Sequence, residues 1–100
     1  PALDALPEDC VMYSNNAGDM YQSGFEAFLS PRKVEYKSDQ PTDDLEELVA
    51  RVEAGETSCL VWVEYSVDEE YWSVDELREH LTLVELGSAD DVTTYRLEPR

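Results

Sequence analysis

Cys59-Leu60-Val61-Trp62-Val63 is an unbroken apolar run, and it predicts a strand buried on both faces, as in the middle of a parallel sheet. Upstream of it, Leu45, Leu48, Val49 and Val52 fall at i, i+3, i+4 and i+7, the stripe of an amphipathic helix. Pro41-Thr42-Asp43 supplies the start signal of that helix, Asp43 and Asp44 suit its positive end, and Gly55 supplies the stop. Downstream, Ser73-Val74-Asp75-Glu76 matches a capping box, with Trp72 and Leu77 placed as a hydrophobic staple and Leu77 and Leu81 continuing the helix. Leu83–Leu86 and Val92–Leu97 flank the polar stretch Gly87-Ser88-Ala89-Asp90-Asp91, the pattern of a closing antiparallel hairpin.

The N-terminal third reads less sharply. Cys10-Val11-Met12-Tyr13 follows a loop, Leu6-Pro7-Glu8-Asp9, and predicts a buried strand. Ala17, Met20, Tyr21 and Gly24 at helical spacing predict a short helix between Asn16 and Phe25. Phe28 to Tyr36, with Pro31 and then Val34 and Tyr36 in alternation, predicts a second strand near a sheet edge. The elements run βαβαβαββ. They predict one α/β domain over residues 1–100, three layers deep, with a mostly parallel sheet closed by the hairpin.

Twenty-four acidic residues face seven basic ones, of which two are lysines, for a formal net charge of -17. Such a surface repels itself in ordinary buffer. In molar salt the Debye length falls to about 3 Å and the repulsion is screened. The balance therefore predicts a halophilic protein that needs high salt for stability. An ordinary acidic domain would carry more lysine, and an acidic mimic of DNA would concentrate charge that is here spread along the chain. No nucleic-acid partner is expected. Hydrophobic content of 42% with 10% aromatics points to a folded chain. No run approaches the roughly 20 apolar residues of a membrane span, and no signal-peptide pattern is visible. The sequence begins at Pro1 and not at methionine, which reads as a processed chain or a piece of a longer one.

Candidate sites are few. Ligands of open parallel sheets lie beyond the carboxyl ends of the strands, at the point where strand order reverses. If the first strand is central, Ser14-Asn15-Asn16 occupies that place and could receive an anion or a sugar, although the same residues serve equally well as a helix cap and turn. Neither a dinucleotide fingerprint nor a phosphate loop is present, and no cofactor is expected. His80 is the single histidine, and Ser14 is not in a G-x-S-x-G elbow, so a hydrolase centred on the two is the weakest reading. Asp43-Asp44, Asp68-Glu69-Glu70 and Asp90-Asp91 could attract hard cations, yet a solvated acidic surface accounts for them without a metal. Tyr65, Tyr71 and Trp72 could form a sugar-stacking patch, though Trp72 already has a place in the staple. Cys10 and Cys59 each stand at the front of an apolar run. They fit buried free thiols or, in an oxidising exterior, a disulfide.

The stretch Leu6-Pro7-Glu8-Asp9-Cys10-Val11-Met12-Tyr13-Ser14-Asn15, followed by Tyr21, Gly24 and Pro31, resembles the soluble C-terminal domain of membrane glycosyltransferases of the dolichyl-phosphate-mannose protein mannosyltransferase type. Val61-Trp62, the Ser73–Leu81 helix and Tyr95-Arg96 extend the resemblance over nearly the whole chain. Phe25 departs from the arginine that tends to follow the glycine, and Cys10 stands in place of alanine. The resemblance implies a non-catalytic extracytoplasmic accessory domain of an enzyme using a lipid-linked sugar donor. Its partners would be the membrane-embedded portion of the parent chain and a glycan or protein acceptor. Ser14, Asn15, Asn16 and Tyr21 would be its ligand-contacting residues. The rival expectation is a free-standing halophilic cytoplasmic α/β module that binds a small ligand or a protein.

Overall fold

The computed structural model describes residues 6–7, 9–17, 26–35, 37–66 and 69–100. They form a mixed α/β structure, a single five-stranded sheet with two α-helices. The strands are β1 (Val11–Ser14), β2 (Phe28–Leu29), β3 (Ser58–Val63), β4 (Leu81–Ala89) and β5 (Val92–Pro99), in spatial order β2-β1-β3-β5-β4. The helices are α1 (Asp44–Glu53) and α2 (Val74–Leu77).

The expected central strand is central. All six residues of β3 are buried, and β1 runs parallel along one side of it while β5 runs antiparallel along the other. The sheet is therefore mixed rather than mostly parallel: β2, β1 and β3 form two parallel ladders, and β3, β5 and β4 form two antiparallel ones. Tyr13, Leu60 and Tyr95 are register partners across three strands and so share one face. On that face they pack with Trp62, Leu83 and Leu97, with Leu45, Leu48 and Val52 of α1, and with Leu77 of α2. Burying each of these aliphatic side chains stabilises the fold by about 1.5–3 kcal/mol. Met12, Cys59 and Val61 alternate to the opposite face, where Cys59 and Val61 are also fully buried.

Helix α1 is built as its sequence predicts. Asp44, Glu46 and Glu47 lie in its first turn, and the Thr42 hydroxyl accepts from the Asp44 amide at 3.2 Å. At its other end Gly55 adopts φ +102°, and the Gly55 and Glu56 amides donate to the Val52 and Arg51 carbonyls, a Schellman closure. The Ser73 capping box is present in both directions: Glu76 N–H donates to Ser73 Oγ at 3.2 Å, and Ser73 N–H donates to Glu76 Oε1 at 3.0 Å.

Three further expectations are corrected. Helix α2 stops at Leu77; Leu81 opens β4 instead, since an i, i+4 leucine pair fits a one-turn helix followed by a strand equally well. The hairpin turn is two residues, Asp90-Asp91, with Asp90 at φ +53°, because Gly87, Ser88 and Ala89 pair with Thr94, Thr93 and Val92 past a β-bulge between Glu85 and Gly87. The second strand is an edge strand but only Phe28–Leu29 long; beyond it the chain makes isolated bridges, Arg32 with Tyr71 and Val34 with Pro41. Tyr36 and residues 18–25 of the expected first helix lie outside the described residues.

Cys10 and Cys59 form a disulfide with Cα atoms 5.9 Å apart. It closes a loop with a sequence separation of 49, which by the chain-entropy account contributes about 4 kcal/mol by constraining the unfolded chain. Among the described residues no helix is long and apolar enough to cross a membrane.

Candidate functional site

Strand β1 lies between β2 and β3, so strand order reverses at its carboxyl end and Ser14-Asn15-Asn16 stands at the switch point. Ser14 is fully buried and its Oγ accepts from the Asn16 amide at 3.0 Å. Asn15 is also buried. Its Nδ2 donates to the Val63 carbonyl and its Oδ1 accepts from the Val63 amide, both at 2.8 Å. One side chain thus ties the end of β1 to the end of β3 as a backbone ladder would. Asn16 is half-buried, while Tyr21 lies outside the described residues.

Next to this corner a groove of about 670 Å³ opens between α1 and the β1–β2 side of the sheet, with Ala17 on its wall. Its floor is Val11 and Tyr13 of β1 and Leu48 of α1. One wall is apolar, from Phe28 and Leu29; the other is polar, from Asp44, Glu47 and Arg51 of α1, at i, i+3 and i+7 on one helix face. Phe28 is 66% exposed and Leu29 54%; with Tyr65 they are the large apolar side chains left in solvent among the described residues. The Phe28 and Tyr13 rings meet at 5.9 Å and 37°.

Below the groove, Glu56 accepts from the Tyr13 hydroxyl at 3.0 Å and from Ser58 Oγ at 2.5 Å. Burial, then the hydrogen bond to Glu56, pushes the Tyr13 phenol above its ordinary pKa, and the Tyr13 contact in turn raises that of Arg51. Arg51 also faces Glu47 at 3.6 Å.

A second polar cluster was not foreseen. Arg32 is 7% exposed; its guanidinium pairs with Glu70, donates through Nε to the Val34 carbonyl at 3.1 Å and lies 5.0 Å from the Tyr71 ring centre. Its backbone amide reaches Asp44 Oδ2 at 3.2 Å, and its carbonyl accepts from Thr42 Oγ1. Beside it Lys33 pairs with Glu76 at 2.8 Å and sits 5.1 Å over Trp72. Hydrogen bonds from Lys33 and from the Ser73 amide hold the Glu76 carboxyl down at about 2. The only hint in the sequence was two adjacent cations, Arg32-Lys33, in a chain so poor in them.

Ser14 and His80 are not brought together. Ser14 is buried at the end of β1, whereas His80 is exposed in the turn before β4, three strands away across the sheet, and its ring contacts Trp72 edge-on at 6.3 Å. Among the described residues no group of three or more His, Cys, Asp or Glu side chains is arranged to hold a metal ion. Comparison with protein-family models, with curated proteins and with solved structures found no match to this chain.

Proposed function

We propose that the chain is a non-catalytic extracytoplasmic accessory domain of a membrane glycosyltransferase using a lipid-linked sugar donor, adapted to high salt. The observation that carries the reading is the Cys10–Cys59 disulfide, because such bonds persist in oxidising exteriors and are rare where thiols are kept reduced. A surface of formal charge -17 suits a domain that meets brine directly. The contact surface toward the acceptor or the membrane-embedded part of the parent is the switch-point corner, with Asn16 outermost and Ser14 and Asn15 holding its backbone from below. Tyr21 belongs to the same proposed contact set.

The finer architecture, three layers in βαβαβαββ order with helices on both faces, is part of this proposal. Two observations support it. Cys59 and Val61 are fully buried on the face turned away from α1 and α2. The parallel pairing of β1 with β2 calls for a crossover connection, which is usually helical.

The test is the parent reading frame. Several apolar runs of about 20 residues upstream of Pro1, with an acidic pair in the first outward loop, are expected. A start codon immediately before Pro1 would remove the membrane reading. The salt adaptation is checked separately: the melting temperature should climb steeply from dilute buffer to molar potassium chloride, and a flat profile would discard it.

A further inference from the structure

We propose that the groove between α1 and the β1–β2 edge binds a neutral saccharide, its pyranose ring stacked on Phe28 and its hydroxyls held by Glu47 and Arg51. The inference rests on the salt-adapted part of the proposed function and does not need a membrane parent. Phe28, the ladder partner of Tyr13, stands in solvent on the sheet face that carries the groove, so the groove presents a flat aromatic ring to whatever enters it. Across from that ring, Glu47 and Arg51 offer paired acceptors and donors one helical turn apart. The volume lies inside the roughly 300–1,000 Å³ range of small-molecule sites.

Charge narrows the ligand. An anion would meet Asp44, Glu47 and Glu56 on a chain of net charge -17. A cation would find two of those carboxylates already engaged, Asp44 by the Arg32 amide and Glu56 by Tyr13 and Ser58, with the Arg51 guanidinium beside them. In molar salt, moreover, screening over about 3 Å removes most Coulombic selection, leaving apolar contact and hydrogen bonds to decide. A ligand with an apolar face rimmed by uncharged hydroxyls fits those terms, and a pyranose has that shape.

The test is amide NMR on the chain with its disulfide intact, in molar potassium chloride, titrated with mannobiose and with cellobiose. Saturable shifts at Phe28, Leu29, Glu47 and Arg51 are expected for at least one of them, with Kd on the order of 1 mM. Phe28→Ala should weaken that binding about tenfold, as loss of an aromatic stack does, and Arg51→Gln several-fold. Both variants should keep the wild-type melting midpoint, since both side chains lie on the surface. The proposal is overturned if neither disaccharide gives saturable shifts up to tens of millimolar. It is equally overturned if Phe28→Ala binds as well as wild type, or if spermidine moves these amides where the sugars do not. A parent reading frame without membrane spans would cancel the accessory-domain reading and leave these shifts in place.

Discussion

The two edges of the sheet are built in opposite ways. On one side β4 runs for nine residues, buries Leu81 and Leu83, carries Glu85 and breaks its pleat with a bulge, the devices by which a long edge avoids pairing with another chain. On the other side β2 is two residues long, too short to template anything, and it leaves both its side chains in solvent, Phe28 on the face that carries the groove. One edge is closed to partners by its chemistry. The other is closed to strands by its length, and its side chains are exposed.

Removing the disulfide should disturb that contrast most. The bond holds the start of β1, and through β1 the β2 edge, to the central strand. Replacing Cys10 and Cys59 by alanine should cost about 4 kcal/mol in denaturant unfolding. Hydrogen exchange should rise more along β1 and β2 than along β4 and β5, and a uniform rise would contradict the asymmetry. Next in size, Leu83→Ala on the closed edge should cost about 2–5 kcal/mol by leaving a core cavity, whereas Leu29→Ala on the open edge should stay within about 0.5 kcal/mol. Equal losses would mean that β2 is packed as firmly as β4. Asn15→Ala removes both bonds to Val63 and leaves buried backbone groups unpaired, for about 1–3 kcal/mol.

The smallest effect concerns Glu76. Its folded pKa, about 2, lies below the ordinary 4.5, so its pairing with Lys33 and Ser73 stabilises the fold above about pH 4.5. That contribution fades as pH falls from there through about 2. Glu76→Gln should therefore lower the melting temperature slightly at neutral pH and flatten the acid limb of the profile. An unchanged limb would remove Glu76 from the account. The carboxylate is about a third exposed, so high salt should shrink the difference further.

The contrast also separates what was legible in the sequence from what was not. Helix α1 declared itself through Leu45, Leu48, Val49 and Val52 and through Gly55, because a helix is specified by contacts within a dozen residues. The Ser73 box and the β4–β5 hairpin are local in the same sense. At the β2 edge the decisive contacts are distant. Phe28 and Leu29 look like the core of a strand until it is known that, among the described residues, Tyr13 and Ser14 are their only ladder partners. Pro31, which lacks an amide hydrogen, follows closely, and the chain then turns to bridge Tyr71 through Arg32. The disulfide was open for the same reason. Cys10 and Cys59 sit alike at the front of apolar runs, and only the parallel register of Val11 with Ser58 and Met12 with Cys59 brings them within reach. Asn15 could be placed at the corner from sequence, but its grip on Val63 required knowing that β3 ends beside it.

The disulfide has a mechanical consequence as well. A pull applied at the two ends of the chain is carried through the Cys10–Cys59 bond, so everything between those residues is bypassed by the force. At about 3.6 Å per residue the oxidised chain could be drawn out to roughly 190 Å, against roughly 360 Å once reduced. Strand β2, helix α1, the switch-point corner and the groove all lie inside the sheltered loop. Tension would peel β4 and β5 from the sheet while the ring that carries the candidate site stayed covalently closed.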